Sequence, residues 1–418
     1  MIKKISAAVI ALAITACTLT ACGKNNNDSK NDSSSTSSST SSSGDSLAEI
    51  SDDSTAEKTV EPSLTIDGKK IDTKNYIMCT IDGQDIDFDT FRYYFYSTVG
   101  LFQSTYNIDL DTIKAQKDGS ETLMKEVINS LKQMVVWNKL AKENKITLTD
   151  AEIKENVDDK IQSLKSNYSS EDEYKAALKS AYLTEDTYKN VLKTQALYNK
   201  VTEKLFTNDG KYATKKADFK KIINDPTKYA HEIHVMIPYC AMVGLDESAA
   251  ESYDSMSLSE KLNAKYTAYS KLDSDAQKKA KEKAKKTAEE VLKKAQAGDD
   301  FEKLIDEYGW DVQLESSKDG NYLNENSNKV QSIPQELVDG SFALNEGEVS
   351  KELTENETYG YFIIKRLPID MSYVNENMTN LIYAYDTPSI SDKIDGIMSK
   401  LKVTYCDDWD KITADSIT

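Results

Sequence analysis

The sequence predicts an α+β protein: a largely helical domain followed by a smaller domain in which a small antiparallel sheet carries flanking helices. Three observations predict it. From Asp87 to Phe206 apolar residues recur at three- and four-residue spacing, the period of helices with one buried face. From His231 to Leu367 two short apolar strands enclose a series of helices. Ahead of both lies a stretch with neither period, an apolar run at its start and then residues too polar to pack.

That leading stretch begins with Lys3 and Lys4 and an uncharged apolar run from Ile5 to Ala21. The run is short for a membrane span and has the flanks of an export signal. It ends Leu19-Thr20-Ala21-Cys22-Gly23, which resembles the lipobox of bacterial lipoproteins; Ile14-Thr15-Ala16-Cys17 is a weaker competitor. The resemblance implies cleavage before Cys22, lipidation of its sulfur, and anchoring by acyl chains at about 0.8 kcal/mol per methylene. An uncleaved signal anchor is the alternative. Either reading places the body at the extracytoplasmic face of the cell membrane. Residues 22–75, rich in Ser and Asn with the run Ser33–Ser43, read as a disordered tether. As a coil it would span about 40 Å.

The chain has 418 residues and a formal charge of −18, and losing the signal with Lys3 and Lys4 makes it more acidic. Phosphates would be repelled, which excludes nucleic acid as a partner and disfavours broad contact with anionic lipid. Beyond Cys22 only Cys79, Cys240 and Cys406 remain, without metal-ligand spacing, and they read as plain buried thiols. Asp85–Asp89 and Asn107–Asp111 resemble the openings of calcium loops. They lack Gly at the sixth position and Glu at the twelfth, so they read as helix starts. No metal or cofactor is expected.

Residues 76–227 read as the helical domain. Ile77–Ile86 is a strand-turn unit with Asp82-Gly83 at its turn. An aromatic helix starts near Asp87, and another from Ser120 to about Asn144 carries Leu123, Val127, Leu131, Met134 and Val135 on one stripe. Thr149–Glu152 and Ser170–Glu173 are capping boxes, and a further helix follows Thr184. This order, a strand-turn unit carrying Ile-Asp-Gly and then a bundle, resembles the N-terminal module of extracytoplasmic foldases of the SurA and PrsA type.

Residues 228–368 read as the second domain, with an insertion over 240–273 that is partly helical at Ser257–Tyr269. In His231–Ile237, Glu232, His234 and Met236 share one face and Ile233, Val235 and Ile237 the other. His231 and His234 therefore point apart. Ser274–Gln277 reads as a capping box opening an Ala/Lys helix that Gly298 ends. Phe301, Leu304, Ile305 and Tyr308 form the apolar side of the next helix. The order of elements, the Gly298-Asp299-Asp300-Phe301 turn and the run Phe342-Ala343-Leu344 with Gly347-Glu348-Val349-Ser350 resemble a parvulin-type prolyl isomerase. The resemblance implies catalytic roles for His234 and Asp311. It also implies an apolar proline pocket from Ile333, Leu337, Phe342 and Phe362. Taken alone, His234 reads as a half-buried strand residue with a hydrogen bond, and Asp311 is equally a surface loop acid. Phe362 stands where parvulins carry a second His, so the imidazole of His234 needs another partner. Residues 369–418, with a helix near Ser389–Leu401, a strand at Lys402–Tyr405 and Trp409, are expected to complete the helical domain.

The resemblance thus implies a lipid-anchored foldase that isomerises X-Pro bonds, with incompletely folded exported polypeptides as partners and room for a homodimer. Loss of the second His leaves a second reading open, a holdase with a degenerate parvulin domain. A third reading is a solute-binding lipoprotein with two α/β lobes, which would need parallel sheets.

Overall fold

The computed structural model describes residues 61–245, 253–316 and 318–418. The signal run, Cys22 and most of the expected tether lie outside the described residues. These fall into two compact units: one from the residues up to Phe206 with Ser389–Thr418, the other Thr207–Pro388.

The first unit opens with two hairpins. Strands β1 (Leu64–Ile66) and β2 (Lys69–Ile71) pair antiparallel. So do β3 (Ile77–Ile81) and β4 (Gln84–Asp87). Both turns are Asp-Gly with positive φ at each residue: 50° and 73° at Asp67 and Gly68, 50° and 83° at Asp82 and Gly83. That geometry matches the right-handed twist of the strands it joins. The first hairpin corrects the expectation of an unbroken tether to residue 75. Leu64 and Ile66 are buried, and Leu64 bridges Ile417, so this stretch has apolar partners that local composition does not reveal.

Helices α1 (Phe88–Tyr106), α2 (Leu110–Ala115) and α3 (Gly119–Glu143) follow. Asp87 and Asp109 accept the N–H groups of Thr90 and Thr112 at 2.8 and 2.7 Å, so the calcium-like acidic runs are helix caps. Phe88, Phe91, Phe95 and Phe102 of α1 and Leu123, Val127, Leu131 and Val135 of α3 are buried as their spacing requires. Next come α4 (Asp150–Ile153), a single π turn at Lys154–Asp158, α5 (Asp159–Ser166), α6 (Glu171–Ser180) and α7 (Glu185–Phe206). Thr149 and Glu152 form a full capping box. Ser170 caps α6, but the Glu173 carboxylate takes the N–H of Ser169 and not that of Ser170. Strand Val403–Tyr405 pairs with β3 to complete a three-stranded sheet, and Trp409 packs edge-on against Phe91 with centroids 5.8 Å apart.

The second unit holds α8 (Lys216–Ile223), β5 (Ala230–Ile237), α9 (Leu258–Ser270) and α10 (Ser274–Ala297). It continues with α11 (Phe301–Tyr308), α12 (Val312–Ser316), β6 (Asn321–Leu323), α13 (Ser327–Val330) and α14 (Gln335–Phe342). Strands β7 (Thr354–Asn356) and β8 (Gly360–Leu367) and helix α15 (Met371–Glu376) follow. The last helix, α16 (Met378–Met398), begins well before the expected Ser389 and continues through Pro388. Asp273, not Ser274, caps α10, accepting the Ala276 N–H at 2.8 Å; the capping box nearby is Ser257 with Glu260, at the start of α9.

The sheet order is β6-β5-β8-β7. Ile233, Val235 and Ile237 face α10 and α11, burying Ala284, Ala288, Val291, Phe301, Leu304 and Ile305 in one core. The two compact units divide at 206/207 and 388/389. Phe219 and Ile223 of α8 share a core with Tyr229, Tyr322, Val374, Met378 and Ile382, so the flanking helices pack within the second unit. Every strand pairing among the described residues is antiparallel, which overturns the two-lobed α/β reading.

Candidate active site

The site is built on the pairing of β5 with β8, which places His234 opposite Ile364 and Met236 opposite Phe362. Cross-strand partners share a face, so these four side chains stand together on the side of the sheet away from α10. Met236, Phe362 and Ile364 pack there with Leu337 of α14 and with Leu344, and Trp310 and Ile333 lean on them from partly exposed positions. The His234 ring meets Phe362 edge to face at 5.3 Å.

His234 is buried, and the sequence alone leaves its hydrogen bonding unresolved. The fold supplies two carboxylates. Nδ1 lies 3.2 Å from Glu232 Oε2 and Nε2 lies 3.1 Å from Asp311 Oδ2. Carboxylate oxygens only accept, so satisfying both requires the doubly protonated ring. Burial alone would depress the imidazole pKa, but the two carboxylates outweigh it and raise the pKa to about 9. Glu232, two residues earlier on the same face, is fully buried, and Asn321 donates its Nδ2–H to Glu232 Oε1 at 2.7 Å.

Asp311 has two tasks. Its Oδ1 accepts the N–H groups of Gln313 (2.8 Å) and Leu314 (3.2 Å) at the start of α12, while Oδ2 faces His234. Burial pushes its carboxyl up, yet His234 and these N–H groups hold it below the usual carboxylate value. Gly320 lets β6 lie close: a Cβ there would stand 2.3 Å from the carbonyl oxygen of Glu232, and its φ is +73°.

Of the expected residues, the fold brings together His234, Asp311, Ile333, Leu337 and Phe362. Leu337 and Phe362 are each 2% exposed and form the floor, whereas Ile333 reaches the surface. Phe342 stands apart from this cluster. The guanidinium of Arg366 lies 5.8 Å from its ring, a cation–π contact, and Arg366 is itself fixed by the carbonyls of Leu344, Pro226 and Tyr229. Cys22 lies outside the described residues. Sequence reasoning gave no role to Glu232, Asn321 or Trp310. Glu232 had a signal, the two-residue spacing from His234. His231 points away from the site as expected, between the carbonyl oxygens of Pro368 (2.6 Å) and Asp319 (2.7 Å). Among the described residues no acidic, His or Cys cluster suits a metal ion, and no helix is long and apolar enough to cross a membrane.

Residues 64–202 match the SurA-like N-terminal domain, and residues 249–367 match the PPIC-type PPIase domain. The second match begins after β5, so the strand bearing His234 is tied to that domain by its pairing with β8. The fold and these matches define a parvulin-class domain joined to a SurA-like one. The chain carries a SurA-like N-terminal domain and a PPIC-type peptidyl-prolyl isomerase domain. No curated protein matches it. Among solved structures, PrsA from Bacillus subtilis is 19% identical with a TM-score of 0.23, over 78% of this chain and 93% of that one. The peptidylprolyl isomerase PrsA from Bacillus anthracis is 19% identical with a TM-score of 0.29, over 65% and 96%. The foldase protein PrsA from Streptococcus pneumoniae is 19% identical with a TM-score of 0.29, over 66% and 81%. These superpositions are loose, and the class rests on the two domain matches.

Proposed function

We propose that the protein is a lipid-anchored extracytoplasmic foldase that isomerises X-Pro bonds in exported, incompletely folded polypeptides, held at the membrane through Cys22. The observation that carries the catalytic part is the triad of buried Glu232 and His234 with half-buried Asp311, set against the apolar floor of Met236, Leu337, Phe362 and Ile364.

Isomerisation needs no nucleophile and no proton transfer to the client. Its barrier of ~18–20 kcal/mol comes from amide resonance, which the transition state has lost. The proline ring would sit against Ile333 and Trp310 above that floor. Asp311 beside it would act on the planar amide, whose oxygen carries resonance charge; a fixed carboxylate beside apolar side chains disfavours that charge more than it disfavours the twisted form. His234 commits both N–H groups to Glu232 and Asp311, so it is a positioning residue that aims Asp311.

The test is isomerisation of a proline peptide by the full chain. Catalysis above the uncatalysed rate is expected, with a loss of about tenfold or more in kcat/KM for Asp311→Ala. No rate above background leaves the second reading, a holdase, which the buried Phe362 at the place of the second parvulin His favours.

A further inference from the structure

The insertion between β5 and α10 supplies none of the side chains of the site. Its described part folds as a turn at Tyr239–Met242 and as helix α9. No residue of α9 is fully buried, so the helix adds little to the core. It is nonetheless tied down along its length. Ser257 and Glu260 cap its start. Lys265 donates to the carbonyl of Val243, and the ammonium groups of Lys261 and Lys265 lie 5.4 and 5.3 Å from the centre of the Tyr253 ring. At its far end Gln277 of α10 donates Nε2–H to the carbonyls of Tyr269 and Leu272, each at 3.3 Å.

What α9 touches matters more than how much it buries. It lies on the Tyr239–Met242 turn and reaches α12, the short helix that follows Asp311. Half-buried Tyr269 packs on the core that holds Tyr239 and Leu314, and Leu314 of α12 is fully buried there. Before Asp311 the chain is fixed to the sheet, since the Trp310 N–H donates to the Met236 carbonyl at 3.1 Å. After Asp311 the N–H groups of Gln313 and Leu314 hold its Oδ1. A helix of 5 residues is not stable alone in water and takes its stability from what packs on it. The set of Asp311 toward His234 therefore depends on the seat of Leu314.

We propose that α9 is a brace for the active site, and that Tyr269, packed on the core that seats Leu314, is a positioning residue that keeps Asp311 aimed at His234. The proposal rests on the isomerase reading above. A carboxylate that acts on the client amide works only within a narrow range of positions, and a misplacement of about 1 Å can cost roughly a hundredfold in rate. Without the Tyr269 ring α12 loosens, Oδ1 loses its two N–H donors for part of the time, and Oδ2 strays from the imidazole. The main core is made by β5, β8, α10 and α11, so the unit stays folded without that ring.

The experiment measures isomerisation of a proline peptide by the full chain, as parent, Tyr269→Ala, Tyr269→Phe and Tyr266→Ala, with Tyr269→Ala also made in Asp311→Ala. Tyr269→Ala should lose about fivefold in kcat/KM, nearly all of it in kcat, and less than Asp311→Ala loses. Tyr269→Phe keeps the ring and should keep the parent rate. So should Tyr266→Ala, whose residue on the same helix is 58% exposed. In the Asp311→Ala background Tyr269→Ala should cost nothing more, because a brace that acts through Asp311 is not additive with its removal. An equal loss in both backgrounds, or no loss in the parent, overturns the brace and spares the isomerase. Where Tyr269→Ala does not fold, Tyr269→Leu is read in the same cycle. Where neither parent nor variants isomerise the peptide, the His234 pKa followed by NMR decides. A fall in Tyr269→Ala, as Oδ2 leaves the imidazolium, keeps the brace and removes the catalytic reading. An unchanged value overturns the brace.

Discussion

Glu232 shows what a single residue can add beyond its sequence context. It is fully buried, and its charge is balanced by His234 and by a hydrogen bond from Asn321. Removing it leaves an imidazolium facing one carboxylate in an apolar setting, and breaking such a buried pair costs about 3–5 kcal/mol. Glu232→Ala should therefore lower the unfolding free energy measured in urea at pH 7 by that amount, and the His234 pKa followed by NMR should fall. The sign of the pH dependence follows from the raised pKa of His234. Its contribution is complete below the unfolded value of about 6.5 and is lost as pH rises through the folded value of about 9. Denaturation at pH 6, 8 and 10 should show a decline on the order of a few kcal/mol that His234→Gln lacks. Asp311, with its lowered pKa, adds the opposite limb: its contribution is held above about 3.9 and is lost as pH falls through the lower folded value. The same-face relation of Glu232 and His234 was legible from strand alternation. The arrival of Asp311 from a separate loop was legible only through the family resemblance, since no local spacing links it to β5.

At the scale of elements, the sequence spoke clearly where one period ran long enough. The stripe on α3 was read correctly because burial on one face forces that pattern, and the two faces of β5, both buried, were told apart by their alternation of aliphatic and other residues. The β1–β2 hairpin was missed although Ile66-Asp67-Gly68 repeats the Ile81-Asp82-Gly83 signal. Its strands are short, and the polar stretch before it lowers the local apolar content. The start of α16 was missed because Pro388 suggested a boundary, whereas buried Met378 and Ile382 hold the helix before it and buried Ile390 and Ile394 after it. Loop 318–321 offers a test of an element. Gly320→Ala places a Cβ against the Glu232 carbonyl at a positive φ, so it should cost more than about 1 kcal/mol and weaken β6 pairing. Hydrogen exchange at Tyr322 and Leu323 would report that weakening.

At the scale of the whole molecule, the second unit is continuous in sequence and the first is not. The cores that include β5 and β8 close within Thr207–Pro388. A fragment 207–388 should accordingly unfold cooperatively in urea. A fragment 61–206 should not, because Phe91 loses Trp409 and β3 loses its outer strand. Adding residues 389–418 back through a linker should restore the transition. The location of Val403–Tyr405 also sets a timetable. As the chain is synthesised from its leading end, the isomerase unit is complete while the helical unit still waits for its final β-strand. The catalytic module can therefore mature first, and the bundle that precedes it along the chain is sealed only by the trailing segment.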